Sequence, residues 1–176
     1  MTSSLERISP SEATTRTLST LADRVREACA RDPSLDATAE PAVLGVYLGN
    51  LFVRDVAQGG FAQFFYNMQG NYLLETEQLL AHAGAAAAHD YYRSAVERCL
   101  AEEETYQAFL DGDYRRENTV KHALHLLSVD YFRGGGDPAA ELADFVRRAQ
   151  PQVEVWLEMA SAARPEPAGA VGPNDS

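Results

Sequence analysis

Gly59-Gly60 interrupts the most apolar stretch of the chain and is followed at once by Phe61, Phe64, Phe65 and Tyr66. Nothing else in the sequence constrains the fold as strongly. Upstream, Leu44, Tyr47, Leu48, Leu51 and Phe52 recur at helical spacing behind Pro41, a residue suited to a first helical turn. Downstream, Phe61, Phe64 and Phe65 fall on one side of a second, shorter helical turn running to Asn67, which Gly70 should close. Two glycines between two helical patterns require the backbone to turn sharply or let another segment approach closely, because only a residue without Cβ takes positive φ cheaply.

The same periodicity organises the rest. Leu18, Leu21, Val25 and Cys29 predict a first amphipathic helix that ends before Asp32-Pro33. Tyr72 to Ala83 reads as a helix stopped by Gly84. The next carries Tyr91, Tyr92, Val96, Cys99 and Leu100, and beyond it Glu102-Glu103-Glu104 leads to Asp111-Gly112-Asp113 by a continuation or a kink. Val120, Leu124, Leu127 and Tyr131 mark a helix ended by Gly134-Gly135-Gly136, and Pro138 opens the last, which Pro151 should kink or split. No stretch alternates with a period of two. The fold class expected is all-α, a single-domain bundle of about six to eight helices over 11–163, with a polar tail at 1–10 and a Pro/Ala/Gly-rich tail at 164–176.

Charge limits the partners. With a net charge of −11 the chain is poorly suited to bind nucleic acid or an anionic membrane directly, and suited to a basic protein. Two cysteines in apolar patterns, no leader-like N-terminus and no run of roughly 20 apolar residues suggest a reducing, cytoplasmic setting. The acid is concentrated. Between Asn71 and Asp113 nine carboxylates face only Arg93 and Arg98, and Glu97, Glu102, Glu103, Glu104, Asp111 and Asp113 form its dense end. Carboxylates three or four apart on a helix lie about 5–6 Å from one another, comparable with phosphate spacing, although such a run also serves simply as a solvated helix face.

Other chemistry is thinner. Gln63 and Asn67, four apart, are placed to bond each other, brace the glycine turn or face a ligand, with bracing the usual role of buried carboxamides. His122 and His125 share a helix face but lack the further ligands a metal needs, so neither a metal nor a cofactor is expected. No phosphate loop, nucleophile elbow or zinc-protease motif occurs.

The stretch Gly59-Gly60-Phe61-Ala62-Gln63-Phe64-Phe65-Tyr66-Asn67, closed by Gly70, resembles the NGGF-x-Q-[FY]-F-x-N core of the bacterial DNA-mimic protein family, with Gln58 where the family has Asn. Tyr47-Leu48-Gly49-Asn50, Glu77 to Ala85, Leu127 to Phe132 and Leu142 to Trp156 are similar to its flanking segments. The resemblance implies an all-helical protein with a tendency to form homodimers, and, with no nucleophile beside the motif, no enzyme is expected. It also implies the task of occupying the DNA-binding surface of a transcription regulator. The acidic end from Glu97 to Asp113 is the expected contact, and the motif residues are expected to be mainly structural. Two other functions stay open: an immunity or antitoxin-type inhibitor of a basic nuclease, using the same face, and a small-ligand protein or enzyme in which Gln63, Tyr66 and Asn67 orient the ligand.

Overall fold

The computed structural model describes residues 8–162, apart from the side chains of 36–38, so the tails expected at 1–10 and 164–176 lie almost wholly outside the described residues. Seven α-helices and one short 3₁₀ turn account for the described chain, with no strand among the described residues. They are α1 (Pro10–Arg31), α2 (Pro41–Met68), α3 (Leu73–Ala83), α4 (Ala86–Ala101), α5 (Glu103–Leu110), α6 (Thr119–Arg133) and α7 (Pro138–Ala162). None is long and apolar enough to cross a membrane.

The helix ends follow from local chemistry. Ser9 and Glu12 form a reciprocal capping box with Pro10 in the first turn, which starts α1 inside the stretch expected to be tail. Asn118 caps α6 by accepting from the Lys121 amide at 3.1 Å, and Asp137 Oδ1 accepts from the Ala139 and Ala140 amides at the start of α7. Gly84, at φ 72°, closes α3 in the left-handed conformation. The first turn of α4 has no side-chain cap of its own. Glu141 of α7 supplies one, accepting from the Ala88 amide at 2.9 Å while its other oxygen accepts from the Tyr131 hydroxyl at 2.7 Å.

Two alternatives left open by the sequence are narrowed. The chain breaks between α4 and α5 at Glu102, whose φ of −125° and ψ of 49° leave the helical region, so the acidic run spans two helices. Pro151 does not split α7, which runs through it. Pro151 is exposed, while Ala149, Val153, Trp156 and Leu157 keep the buried face continuous on both sides.

The core is aromatic at its centre. Phe52, Phe61, Phe64, Phe65 and Tyr92 are fully buried, and Tyr131 nearly so. Phe52 meets Phe64 edge-on at 5.3 Å, Phe65 stacks on Tyr92 at 5.4 Å, and Phe61 meets Tyr131 at 5.8 Å. Such pairs contribute about 0.5–1.5 kcal/mol each beyond the area they bury. Around this centre α7 packs on both α1 and α2, and α6 packs on α2 and α4. Ser11 donates to Asp137, so α1 and α7, 126 residues apart at that bond, begin side by side.

Candidate functional site

The glycine pair makes the corner that the sequence requires, and it does so by both of the routes available. Gly59 (φ −146°, ψ 15°) and Gly60 (φ 71°, ψ −167°) leave the helical region inside α2, dividing it into two arms. The conformation of Gly60 is one that L side chains avoid. A Cβ there would also lie 2.3 Å from Ser128 Oγ and 2.6 Å from Ser128 Cβ, so α6 closes on the bare backbone. Ser128 uses the approach: its hydroxyl accepts from the Phe61 amide at 2.8 Å and donates to the Leu124 carbonyl at 2.8 Å.

A second brace spans the corner. Asn67 Nδ2 donates to Asp55 Oδ2 at 3.0 Å, and Arg54 Nε donates to Asp55 Oδ1 at 2.8 Å. In a straight helix, residues twelve apart would be separated by about 18 Å. The two arms are therefore folded toward each other, with the Asp55 carboxylate, 1% exposed, held between them. Asn67 thus braces the turn, bonding Asp55 rather than Gln63. Gln63 lies over Gly59, with its Oε1 at 2.2 Å from where a Cβ would stand. Gln69 and Gly70 follow in left-handed conformations (φ 51° and 74°) and end α2 at Met68.

The motif is thus occupied with packing. Phe61, Phe64 and Phe65 are inside the core, and Gly60 is covered by Ser128. Grooves open elsewhere: one of about 570 Å³ between the first arm of α2, α3 and α7, floored by Leu44, Leu48, Leu79 and Phe145, and one of about 400 Å³ between α1, the first arm of α2 and Tyr72. Among the described residues no three His, Cys, Asp or Glu side chains gather as a metal would need. His122 and His125 are both exposed on α6.

The acidic end sorts into two sets. Glu102, with 28% of its side chain exposed, meets Arg98 at 3.1 Å and accepts from Thr119 at 3.0 Å, tying α4 to the start of α6. Glu97, 70% exposed, lies 3.8 Å from Arg93, whose guanidinium also reaches Glu77 at 3.6 Å. Glu103, Glu104, Asp111 and Asp113 are exposed and have no cation within ion-pair distance among the described residues. Glu103 and Glu104 occupy the first turn of α5, where backbone N–H groups favour negative charge. Asp111 accepts from Gln107 Nε2 at 3.0 Å, and Asp113 accepts from the Arg115 amide at 2.9 Å, so both are oriented by their neighbours. Immediately beyond, Arg115 and Arg116 are exposed in the same connection, two cations that a count stopping at Asp113 leaves out.

Sequence reasoning did not single out Asp55, Ser128, Glu141 or Lys121, all of which hold this frame through partners distant in sequence or through backbone carbonyls. Tyr66 links the two regions. Its hydroxyl donates to the Gly112 carbonyl at 2.9 Å, and its ring meets Phe109 at 5.3 Å and Tyr114 at 5.1 Å, so the motif helix supports the connection that carries Asp111 and Asp113.

A family model described as DMP19-like protein matches residues 37–149, which include both the corner and the acidic end. No curated protein and no solved structure matches the chain.

Proposed function

Because the chain belongs to the DMP19-like protein family, a family of DNA mimics, we propose that it binds a basic DNA-binding protein and occupies the surface that would otherwise hold DNA. The observation that carries this reading is the set of exposed carboxylates without cationic partners among the described residues, Glu103, Glu104, Asp111 and Asp113, with Glu97 beside them. Duplex DNA presents about one negative charge per 1.7 Å of axis, so a mimic must offer carboxylates that are close together and already oriented. Two of the four are oriented by hydrogen bonds to their own neighbours, and all four stand on a frame braced by α4, α6 and the motif helix. Glu102 serves that frame more than the contact, since its carboxylate is committed to Arg98 and Thr119.

The mechanism is competitive. Each carboxylate takes the place of a phosphate opposite a partner Arg or Lys, and association weakens as salt screens the charges. The experiment is direct competition: the chain is titrated against a basic transcription regulator bound to labelled duplex DNA, at several salt concentrations. Displacement that declines with salt, and that is lost in E103K/E104K/D111K/D113K while the circular dichroism spectrum is unchanged, supports mimicry. Displacement that survives the reversal would refute it. Inhibition of a basic nuclease in the same format, with no effect on regulators, would assign the face to immunity instead.

A further inference from the structure

The connection from Asp111 to Glu117 is held from beneath by two side chains of different helices. The Tyr66 hydroxyl donates to the Gly112 carbonyl at 2.9 Å. The Lys121 ammonium donates to the Tyr114 carbonyl at 2.6 Å and to the Arg116 carbonyl at 3.3 Å, and stands 4.8 Å from the centre of the Tyr114 ring. Carbonyls at positions 112, 114 and 116 are therefore captured, while the side chains of Asp111, Asp113, Arg115, Arg116 and Glu117 are all exposed.

Lys121 is the only lysine in a chain whose fifteen lysines and arginines are otherwise all arginine. The geometry gives a reason. An ammonium radiates three donors from one atom and can serve two carbonyls two residues apart on a turning backbone while resting on an aromatic face. The donors of a guanidinium lie fixed in one plane.

We propose that Lys121 is a positioning residue for the acidic face: its ammonium fixes the Asp111–Glu117 connection so that Asp111 and Asp113 stand in constant register with Glu103 and Glu104. This role rests on the reading that the face engages a basic partner. It also makes a prediction opposite in sign to simple electrostatics. Lys121 places a positive charge beside a surface meant for cations, so by charge alone its removal should tighten binding; as a clamp, its removal should weaken it.

The test uses the full chain with K121M, which removes the charge, and K121R, which keeps it. Circular dichroism and the thermal midpoint check that the bundle persists. Hydrogen exchange then follows the Arg115 and Arg116 amides, which are bonded to Asp113 Oδ1 and to the Asp113 carbonyl, both at 2.9 Å. Binding is measured against an alanine-based helical peptide with arginine at every fourth position, a rigid stand-in for a basic recognition helix. The expected result is exchange at these two amides at least tenfold faster in both variants, with α6 amides unchanged, and peptide affinity several-fold lower in both, K121M included. Unchanged exchange would overturn the clamp. Faster exchange with equal or tighter binding by K121M would overturn the positioning role. If the unaltered chain fails to bind the peptide, the partner reading itself falls and takes this role with it, an outcome distinct from the other two.

Discussion

Replacing Gly60 with alanine tests the corner on which the rest of the site depends. Three effects act at that position. The backbone, at φ 71° and ψ −167°, sits where an L residue is strained, by about 1–3 kcal/mol. The new methyl would lie 2.3 Å from Ser128 Oγ and 2.6 Å from its Cβ, and forcing an extra carbon into a packed site costs about 1–3 kcal/mol. Moving Ser128 away breaks its bond to the Phe61 amide, and a buried N–H left unbonded costs about 1–3 kcal/mol. One local shift relieves part of the clash at the expense of the hydrogen bond, so the total expected is about 3–6 kcal/mol, well short of additive worst cases. At about 2–4 °C per kcal/mol for a domain of this size, the thermal midpoint of G60A should fall by roughly 10–20 °C. Chemical denaturation gives the same quantity independently, and the S128G background separates its parts. With Ser128 reduced to glycine the clash is gone, and G60A should cost only the backbone strain of about 1–3 kcal/mol. A G60A midpoint within about 3 °C of the unaltered chain, a loss of no more than about 1 kcal/mol, would refute the account of the corner.

Three further outcomes follow from buried groups. Burial pushes the Tyr92, Tyr106 and Tyr131 phenols above their ordinary value of 10.0, and for Tyr131 the hydrogen bond to Glu141 adds to the effect. The native state therefore keeps protons that the unfolded chain releases. The contribution of these phenols should be level up to about pH 10 and then fall by up to about 1.4 kcal/mol per pH unit for each, as read by urea denaturation across alkaline pH, with the buried Cys99 thiol, ordinarily at 9.0, starting a decline of its own about one pH unit earlier. A midpoint that does not move above pH 10 would contradict this. Burial pushes the Cys99 thiol up to about 12, so in the native state it should resist a thiol reagent at pH 8 and react only as the bundle opens; modification of Cys99 as fast as of a model thiol would refute its burial. N67A should cost about 1–3 kcal/mol by leaving Asp55 Oδ2 buried without its donor, and N67D should cost more by setting two carboxylates together, both measurable as shifts in the urea midpoint.

Much of the architecture was legible because helix ends are written locally. Pro41, Gly84, Gly134 and Pro138 act within a turn of themselves, and the corner was readable because two adjacent glycines have few other uses. What was not legible depends on distance. Asp55 is an ordinary acidic residue of an apolar stretch until the corner brings Asn67 to it, and Ser128 acquires its role only when α6 meets a backbone 67 residues earlier. Whether Pro151 splits its helix stayed open for a related reason: it depends on whether the buried face continues on both sides, which the local sequence does not state. The acidic end was visible as a charge count. Its division into committed Glu102 and uncommitted Glu103, Glu104, Asp111 and Asp113 was not, since that division depends on where Arg98 and Thr119 lie.

The side-by-side start of α1 and α7 has a consequence for how the protein is made. Ser11 meets Asp137 only after 126 further residues have been joined, an interval of roughly 6–25 s at about 5–20 residues per second. Through that time the flank of α1 destined for α7 has no permanent cover, whereas the two arms of α2, with Asp55 and Asn67 twelve residues apart, can close as soon as they leave the ribosome. The Asp55–Asn67 brace can thus form early in the nascent chain, the corner is sealed when Ser128 of α6 arrives, and α1, synthesised first, is finished last.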